Sequence, residues 1–396
     1  MTQLDAIRSI ETFVISLPRE VPYLGPLREG ESINARGYLV RKGNKTIYPS
    51  TDMSVLIKIT AESGLVGWGE TYGIAAPEAV TSIIDELLGP VLLRRDPATP
   101  RVLHEELYDL MRVRGFFGGY YLDALAGVDI AIWDLLGKSL GVPLSTLLGG
   151  RRNSHLPAYV SGLPRATLQE RCDMAVELIG RGYRAVKFAA VVSDDGVVRE
   201  MAALREALGP DIQIFADLHW KYSAPDAIRL IRRLAEYDLA CAEAPCQPED
   251  LEGQAAVARS GYTPVALGEE LRTVFEYRPR FEARAMGIIQ PEIGHTGVTE
   301  FMQICDMART FHIPVMPHAS ISCGIFMAAS LQAASTLQNM PFHEYQHSIF
   351  DKNLPLVTGD MGCSDGFYHV PSGPGLGVAP SEAIFAHVRS QTSLRG

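Results

Sequence analysis

The sequence predicts an α/β protein with a (β/α)8-type (modified TIM) barrel after an N-terminal α+β domain. Two observations predict the barrel. Three acidic residues, Asp217, Glu243 and Glu269, stand at equal intervals of 26 residues, and each follows a short apolar run. Strand-like and helix-like patterns also alternate eight times between about residue 160 and Glu344. Such an alternation at this repeat length is typical of a barrel of parallel strands surrounded by helices.

The first part of the chain shows a different pattern, which predicts the separate α+β domain. Residues 10–17 and 52–61 have the pattern of strands, and helical patterns follow at about 76–90 and 100–113. A long polar stretch, Leu24–Ser50, joins the two strands. A loop of this length in a compact domain usually has a function.

Each barrel strand is predicted from an apolar run, because strands buried on both faces are continuously apolar. In chain order, the eight predicted strand segments or strand ends are Leu156–Ser161, Arg184–Ala189, Asp217, Glu243, Glu269, Met286–Gln290, Ile313–Met316 and Phe342–Glu344. Helical spacing predicts helices between them, among others over Ala224–Glu236 and Val298–Phe311. A doubly wound sheet is the alternative, but the sequence lacks a glycine-rich phosphate-binding turn after the first of these strands.

Composition excludes several classes of function. The 396 residues have room for two domains. A net charge of −10 without a basic block argues against a nucleic-acid partner, and no apolar run is long enough to span a membrane. The N-terminus, Met1–Arg8, lacks the apolar core of a signal peptide. The six cysteines show no paired CxxC spacing, so we expect free thiols in a cytoplasmic protein.

The three evenly spaced acids predict a metal site. Carboxyl ends of parallel barrel strands meet at one face, so Asp217, Glu243 and Glu269 should converge there. Clustered buried carboxylates need a cation to neutralise them. Hard oxygen ligands suit Mg²⁺, with Mn²⁺ as the other option. For any one of the three acids taken alone, an ordinary structural role is the simpler interpretation.

Three further stretches carry a resemblance to a known family. They are Gly67–Glu70, Ala124–Lys138 and Pro374–Gly377. With the three acids, they resemble the enolase superfamily in its mandelate racemase/muconate lactonizing enzyme branch, over nearly the whole chain. The resemblance implies a capping domain, a modified barrel and Mg²⁺ on the three acids. It also implies abstraction of a proton α to a carboxylate, with the resulting enediolate held on the metal.

Departures from the family pattern narrow the subclass. Many members carry Lys-x-Lys at the second barrel strand, whereas this chain has Lys187-Phe-Ala189, so a racemase that uses the second lysine is disfavoured. Strand alternation should place His219 on the same strand face as Asp217. The pair formed by this histidine and His318 resembles the histidine pair of the acid-sugar dehydratases, particularly the galactonate type. Where the family has an Asp that pairs with the seventh-strand histidine, this chain has the longer Glu292.

The resemblance also implies roles for the remaining residues. Lys187 and the metal would stabilise the enediolate, and Glu344 would lie beside the substrate carboxylate. His219 and His318 would share the base and acid steps, and Glu292 would orient His318. Structural alternatives remain open: a core His318, a surface His219, and purely structural Lys187 and Glu344. His295 stays outside the predicted catalytic set, and Arg114, Tyr120 and Tyr121 at the rim are as readily packing residues.

We therefore expect an Mg²⁺-dependent lyase that converts an aldonate or aldarate into a 2-keto-3-deoxy acid. The alternatives are a racemase, epimerase or cycloisomerase on the same scaffold, or a barrel that only binds a ligand. The expected partners are a small sugar acid and further copies of the chain, without nucleic acid or membrane. The predicted domains are a capping domain at 1–125, completed by about 365–396, and a barrel at 126–364.

The loop over Leu24–Ser50 is predicted to close over the substrate. Its basic side chains are the candidate contacts, namely Arg28, Arg36, Arg41, Lys42 and Lys45. Their abundance favours a second substrate carboxylate, hence an aldarate. The alternative is a solvated insertion used for contacts between subunits.

Overall fold

The computed structural model describes residues 5–319 and 322–396. Residues 1–4, where the predicted leaderless N-terminus begins, lie outside this description. The strands are β1 (Ile7–Leu17), β2 (Tyr38–Val40), β3 (Ile47–Pro49), β4 (Asp52–Ala61), β5 (Val66–Tyr72), β6 (His155–Ser161), β7 (Ala185–Ala189), β8 (Gln213–Asp217), β9 (Leu239–Glu243), β10 (Val265–Leu267), β11 (Ile288–Ile289), β12 (His343–Tyr345), β13 (Val357–Gly359), β14 (Gly362–Ser364), β15 (Phe367–His369), β16 (Val378–Pro380) and β17 (Val388–Arg395).

Helices alternate with the strands through the second half of the chain. They are α1 (Pro77–Ile83), α2 (Gly89–Leu92), α3 (Pro100–Arg112), α4 (Gly119–Leu140), α5 (Leu144–Leu147), α6 (Leu168–Gly180), α7 (Val197–Leu208), α8 (Ala224–Ala235), α9 (Leu251–Arg259), α10 (Val274–Glu282), α11 (Ile293–Thr310), α12 (Ile325–Ala334) and α13 (His347–Asn353). In the described ranges, no helix is long and apolar enough to cross a lipid bilayer.

The capping domain is an antiparallel sheet covered by helices. Its strands lie in the order β17-β1-β4-β5, so the closing segment of the chain returns to the first strand. Helix α4 packs directly on β5, and two glycines permit this. A Cβ on Gly69 would lie 1.9 Å from the Gly127 carbonyl oxygen, and one on Gly67 would lie 2.2 Å from that of Ala131. Gly67 and Gly69 therefore form a packing surface for α4. The predicted domain boundary at residue 125 falls within this helix.

The barrel is confirmed. Strands β6 to β11 pair in parallel with their neighbours, and β12 pairs in parallel with β6. A layer of buried side chains, including Tyr159, Phe215 and Met316, fills the interior. The ends of β7, β8, β9 and β12 that carry acidic and basic residues all face the same side, because parallel strands share one direction.

One predicted strand is absent from its place. Residues 313–316 form no regular strand, and the seventh position of the barrel is held by isolated bridges, Ile289 to Val315 and Glu292 to His318. Pro314 lies inside this segment and Pro317 directly follows it, and neither has a backbone N–H to donate to a ladder. The apolar pattern therefore predicted the position correctly, but not the regular pairing.

Candidate active site

Four buried ionisable residues meet where the barrel strands end. Lys187 lies in β7, Asp217 ends β8, Glu243 ends β9 and Glu344 lies in β12. Asp217 and Glu243 are direct neighbours in the register of β8 and β9. Each of these strand positions points into the barrel mouth, so ordinary strand alternation brings the four side chains together.

Lys187 is the cation at the centre of this group. Its Nζ lies 2.7 Å from Glu243 Oε1 and 2.9 Å from Glu344 Oε1. Burial alone would lower the pKa of Lys187, but the two carboxylates raise it well above its usual value. Burial acts to raise the pKa of Glu344, but the positive charges of Lys187 and His318 outweigh burial. The pKa of Glu344 therefore lies well below its usual value. The pair is therefore charged in the folded protein.

Glu243 is a carboxyl group whose ionised form is disfavoured by its surroundings. Burial raises its pKa to about 7, and Asp217, Glu269 and Glu344 add to this rise against the lowering effect of Lys187. Its second oxygen accepts a hydrogen bond from Gln290 Nε2 at 2.5 Å. No role was predicted for Gln290, because its partner lies 47 residues away along the chain.

His318 is held between carboxylates on both ring nitrogens. Nδ1 lies 2.9 Å from Glu292 Oε2, and Nε2 lies 2.6 Å from Glu269 Oε2. Burial would lower the pKa of His318, but Glu269 and Glu344 raise it well above its usual value. Glu292 is fully buried, and its Oε2 also accepts a hydrogen bond from Tyr72 Oη at 2.9 Å. The glutamate therefore reaches His318 despite standing where an Asp was expected.

His219 reaches the site by a route that strand alternation did not predict. Strand β8 ends at Asp217, and His219 has a positive φ of 49°. The chain therefore turns back, and His219 Nδ1 lies 3.0 Å from Asp217 Oδ1. Burial acts to lower the pKa of His219, but the negative charge of Asp217 outweighs burial, so the pKa is raised above its usual value. The side chain is only 10% exposed, so a surface role does not describe it.

The three predicted metal ligands fit a divalent cation by their chemistry. Asp217, Glu243 and Glu269 are oxygen donors of the kind that Mg²⁺ prefers, and their mutual repulsion raises the pKa of Glu243, which burial has already raised. Within residues 5–319 and 322–396, no three acidic, histidine or cysteine side chains are already grouped closely enough to hold an ion. Each carboxylate instead contacts a cationic or potentially cationic side chain, His219, Lys187 and His318 respectively.

A cleft of about 1510 Å³ opens above these residues. Its walls include the predicted site residues Lys187, Asp217, His219, Glu269, His318 and Glu344, with the loop from Pro18 to Arg28 on one side. This loop therefore forms part of the wall of the cleft.

The basic residues of the loop do not act as one group. Arg41 is buried, and its guanidinium binds the carbonyls of Tyr23, Gly25 and Pro26 and the carboxylate of Glu31. It therefore shapes the loop and is not available to a substrate, contrary to the prediction. Arg28 lines the cleft and pairs with Asp194 at 3.0 Å, whereas the exposed Arg36, Lys42 and Lys45 are not among the residues that line it.

Tyr72 is a further site residue, and no pattern in the sequence predicted it. It ends β5 of the capping domain, 220 residues from Glu292 along the chain, and it lines the cleft. The one signal in the sequence that indicates Tyr72 is its position two residues after the Gly67–Glu70 motif. The capping domain thus contributes a hydroxyl to the carboxylate that orients His318.

Comparison with known proteins gives matches over most of the chain. Residues 46–149 match the family model described as the N-terminal domain of the mandelate racemase/muconate lactonizing enzymes. Residues 170–384 match the model described as enolase C-terminal domain-like.

Individual relatives differ in the reaction for which they are named. The chain is 30% identical over 407 residues to a D-xylonate dehydratase of Haloferax volcanii, covering 96% of this chain and 93% of that one. It is 32% identical over 337 residues to a D-galactarolactone cycloisomerase of Agrobacterium fabrum, covering 82% and 88%. A crystal structure from Sinorhizobium meliloti, described as a candidate isomerase, is 51% identical with a TM-score of 0.96, covering 97% of this chain and all of that one.

Proposed function

Since this chain belongs to the mandelate racemase/muconate lactonizing enzyme branch of the enolase superfamily and is an enzyme, we propose that it is a sugar-acid dehydratase. It converts an aldonate or aldarate into a 2-keto-3-deoxy acid. The observation that carries the proposal is the pair His219 and His318. They come from opposite positions of the barrel ring, each is held by a carboxylate, and both line one cleft.

The two imidazoles supply the proton transfers that dehydration needs. Removal of the proton on the carbon next to the carboxylate requires a base, and departure of the hydroxyl from the adjacent carbon requires an acid. Glu292 accepts from Nδ1 of His318. Nε2, which lies 2.6 Å from Glu269 Oε2 in this structure, is the atom that would exchange a proton with the substrate once Glu269 binds a cation instead. His219 Nδ1 contacts Asp217, so its Nε2 is likewise the atom for transfer.

Fixed positive charge lowers the energy of the intermediate. Lys187, held by Glu243 and Glu344, places an ammonium group next to the developing negative charge of the enediolate. A divalent cation such as Mg²⁺ on Asp217, Glu243 and Glu269 would add a second positive charge that polarises the substrate carboxylate.

Cycloisomerisation of a sugar-acid lactone is the second candidate. It begins with the same abstraction of an α proton. One of the similar proteins is named as a cycloisomerase of a sugar-acid lactone, and another is described only as an isomerase. The first step alone therefore does not separate the two reactions. The difference lies in the leaving group, which is a free hydroxyl in one case and the ring oxygen in the other.

A panel of aldonates, aldarates and their lactones, incubated with the protein and Mg²⁺, tests the proposal. Semicarbazide detects a 2-keto product, and mass spectrometry separates the two reactions. A dehydratase lowers the mass of the open acid by one water, whereas a cycloisomerase consumes only the lactone without a mass change. Reaction of the open acid supports dehydration, exclusive reaction of the lactone overturns it in favour of the second candidate, and no reaction with any member overturns both.

A further inference from the structure

A third histidine lines the cleft at a place that the proposed proton transfers do not use. His295, near the start of α11, has a side chain that is 15% exposed. One edge and one face of its ring are already engaged. Nδ1 lies 2.7 Å from Asp123 Oδ1, and the ring stacks on Tyr72 with 4.1 Å between centroids. Asp123 belongs to α4 and Tyr72 to β5, so the capping domain holds a histidine of the barrel in place.

The contact with Asp123 sets which nitrogen carries the proton. Nδ1 lies 2.7 Å from Asp123 Oδ1 and 3.3 Å from Arg272 Nη2. The carboxylate contact is much the shorter, and an ionised carboxylate only accepts hydrogen bonds, so Nδ1 of His295 is the protonated nitrogen. Nε2 then remains, and within the described ranges no side chain or backbone group is within hydrogen-bond distance of it. Because His295 lines the cleft, Nε2 is the polar atom that it offers to a ligand.

Arg272 completes the cluster without offering a charge to the cleft. Its Nε and Nη2 lie 2.9 Å and 3.3 Å from the two oxygens of Asp123, and Nη1 donates to the carbonyl of Glu270 at 2.8 Å. The cation is thus neutralised by Asp123. Among the described residues that line the cleft, Arg272 is therefore not free to bind a second substrate carboxylate.

We propose that His295 determines specificity by binding a hydroxyl group of the sugar acid through Nε2, which rests on the proposed function. A hydroxyl both donates and accepts, so it pairs with Nε2 in either protonation state, whereas a carboxylate pairs only with the protonated ring. Tyr72 joins the ring face of His295 to Glu292, which orients His318. His295 and Glu292 thus share one neighbour, Tyr72.

Two substitutions with opposite geometry test the proposal. His295→Asn keeps an amide near the position of Nδ1, facing Asp123, but leaves the position of Nε2 empty. His295→Gln carries its amide out to the position of Nε2. His312→Asn is the matched control, because His312 is an exposed histidine just beyond the other end of α11. Melting temperatures of all variants show whether each is folded.

Steady-state kinetics on a sugar acid that the unmodified enzyme turns over give the readout. We expect His295→Asn to raise KM about tenfold with kcat within about threefold, because a contact made equally in the ground and transition states affects binding alone. His295→Gln and His312→Asn should stay within about threefold in both constants. The penalty of His295→Asn should vanish on one member of a series of deoxy analogues, the one that lacks the bound hydroxyl.

The outcomes separate this inference from the proposed function. If the unmodified enzyme turns over no panel member, the proposed function fails and this inference fails with it. If the enzyme turns over a sugar acid and folded His295→Asn has an unchanged KM, only this inference is overturned. A fall in kcat at unchanged KM also overturns it, since that result assigns His295 to the reaction step. If His295→Asn does not fold, an equal loss for His295→Gln would contradict the proposal.

Discussion

Lys187 and Arg41 are both buried cations, each 4% exposed, but they occupy different kinds of structure. Lys187 lies in a barrel strand and pairs with carboxylates from two other strands, Glu243 and Glu344. Arg41 lies in the loop of the capping domain, where it pairs with Glu31 and with backbone carbonyls of the same loop. The ion pairs of Lys187 join three barrel strands and leave it on the wall of the cleft, whereas Arg41 is not on that wall and its hydrogen bonds hold the shape of its own loop. The strand cation is thus available to a reaction, and the loop cation is not.

The largest effect is expected from removing the strand cation. Lys187→Met should lower kcat by at least about 10³-fold, because the charge that stabilises the enediolate is lost. The free energy of unfolding should also fall, by about 3 kcal/mol, since Glu243 and Glu344 lose their buried partner. Steady-state kinetics and urea unfolding measure the two effects. A variant with near-normal turnover would show that the strand charge is structural, like that of Arg41.

Substitution of the two site histidines should remove different steps of the reaction. His318→Asn and His219→Asn should each reduce dehydration by about 10²- to 10⁴-fold, the usual contribution of a general acid or base. In D₂O, the variant that lacks only the acid should still exchange the α hydrogen of the substrate for deuterium, whereas the variant that lacks the base should not. Proton NMR of the substrate reports this exchange. Retention of full dehydration by either variant removes that histidine from the mechanism.

A buried histidine beneath the site should make stability depend on pH. Burial lowers the pKa of His343 to about 4, although a hydrogen bond to the Glu344 carbonyl opposes this shift. The unfolded chain binds a proton below about pH 6.5, but the folded chain does so only near pH 4, so stability falls as pH drops through this window. The loss attributable to His343 is about 3 kcal/mol. Urea unfolding at pH 7 and pH 4.5 should show a smaller pH difference for His343→Gln than for the unmodified protein, and equal differences would contradict the assignment.

The smallest effects are expected in the loop. Arg41→Met should destabilise the protein by about 2 kcal/mol, because Glu31 and three carbonyls lose a charged donor. It should raise KM more than it lowers kcat, since the loop lines the cleft without touching the reacting atoms. Lys45→Ala is the control, because this exposed lysine should shift stability by less than about 0.5 kcal/mol. If Arg41→Met leaves both stability and KM at the values of Lys45→Ala, the loop does not depend on its buried arginine.

The same contrast explains how far the sequence predicted the fold. Strand 52–61 was predicted with its observed bounds, and the helix predicted over Ala224–Glu236 ends one residue earlier, at Ala235. Local patterns define both elements, and Ser223 caps the start of the helix. The seventh barrel strand was predicted from an apolar run, but Pro314 and Pro317 prevent regular pairing.

The candidate site was predictable where strands position the side chains. The local sequence pattern determines the direction of each barrel strand and the side to which its side chains point. This is why four strand residues were correctly predicted to lie together, namely Lys187, Asp217, Glu243 and Glu344. His219 was expected on a strand face, but a positive φ turns it back towards Asp217. The contacts of Arg41 and Tyr72 depend on the path of a loop and on the docking of two domains, and no local pattern carries that information.

The dependence of dehydration on a divalent cation tests the central claim most directly, namely that Asp217, Glu243 and Glu269 act as one metal site. The protein is stripped with a chelator, dialysed, and assayed on an active sugar acid before and after Mg²⁺ is restored, beside Glu243→Gln. We predict that activity vanishes on stripping and returns with Mg²⁺, and that folded Glu243→Gln stays inactive at any Mg²⁺ concentration. Full activity of the stripped protein, or of Glu243→Gln, would contradict the account.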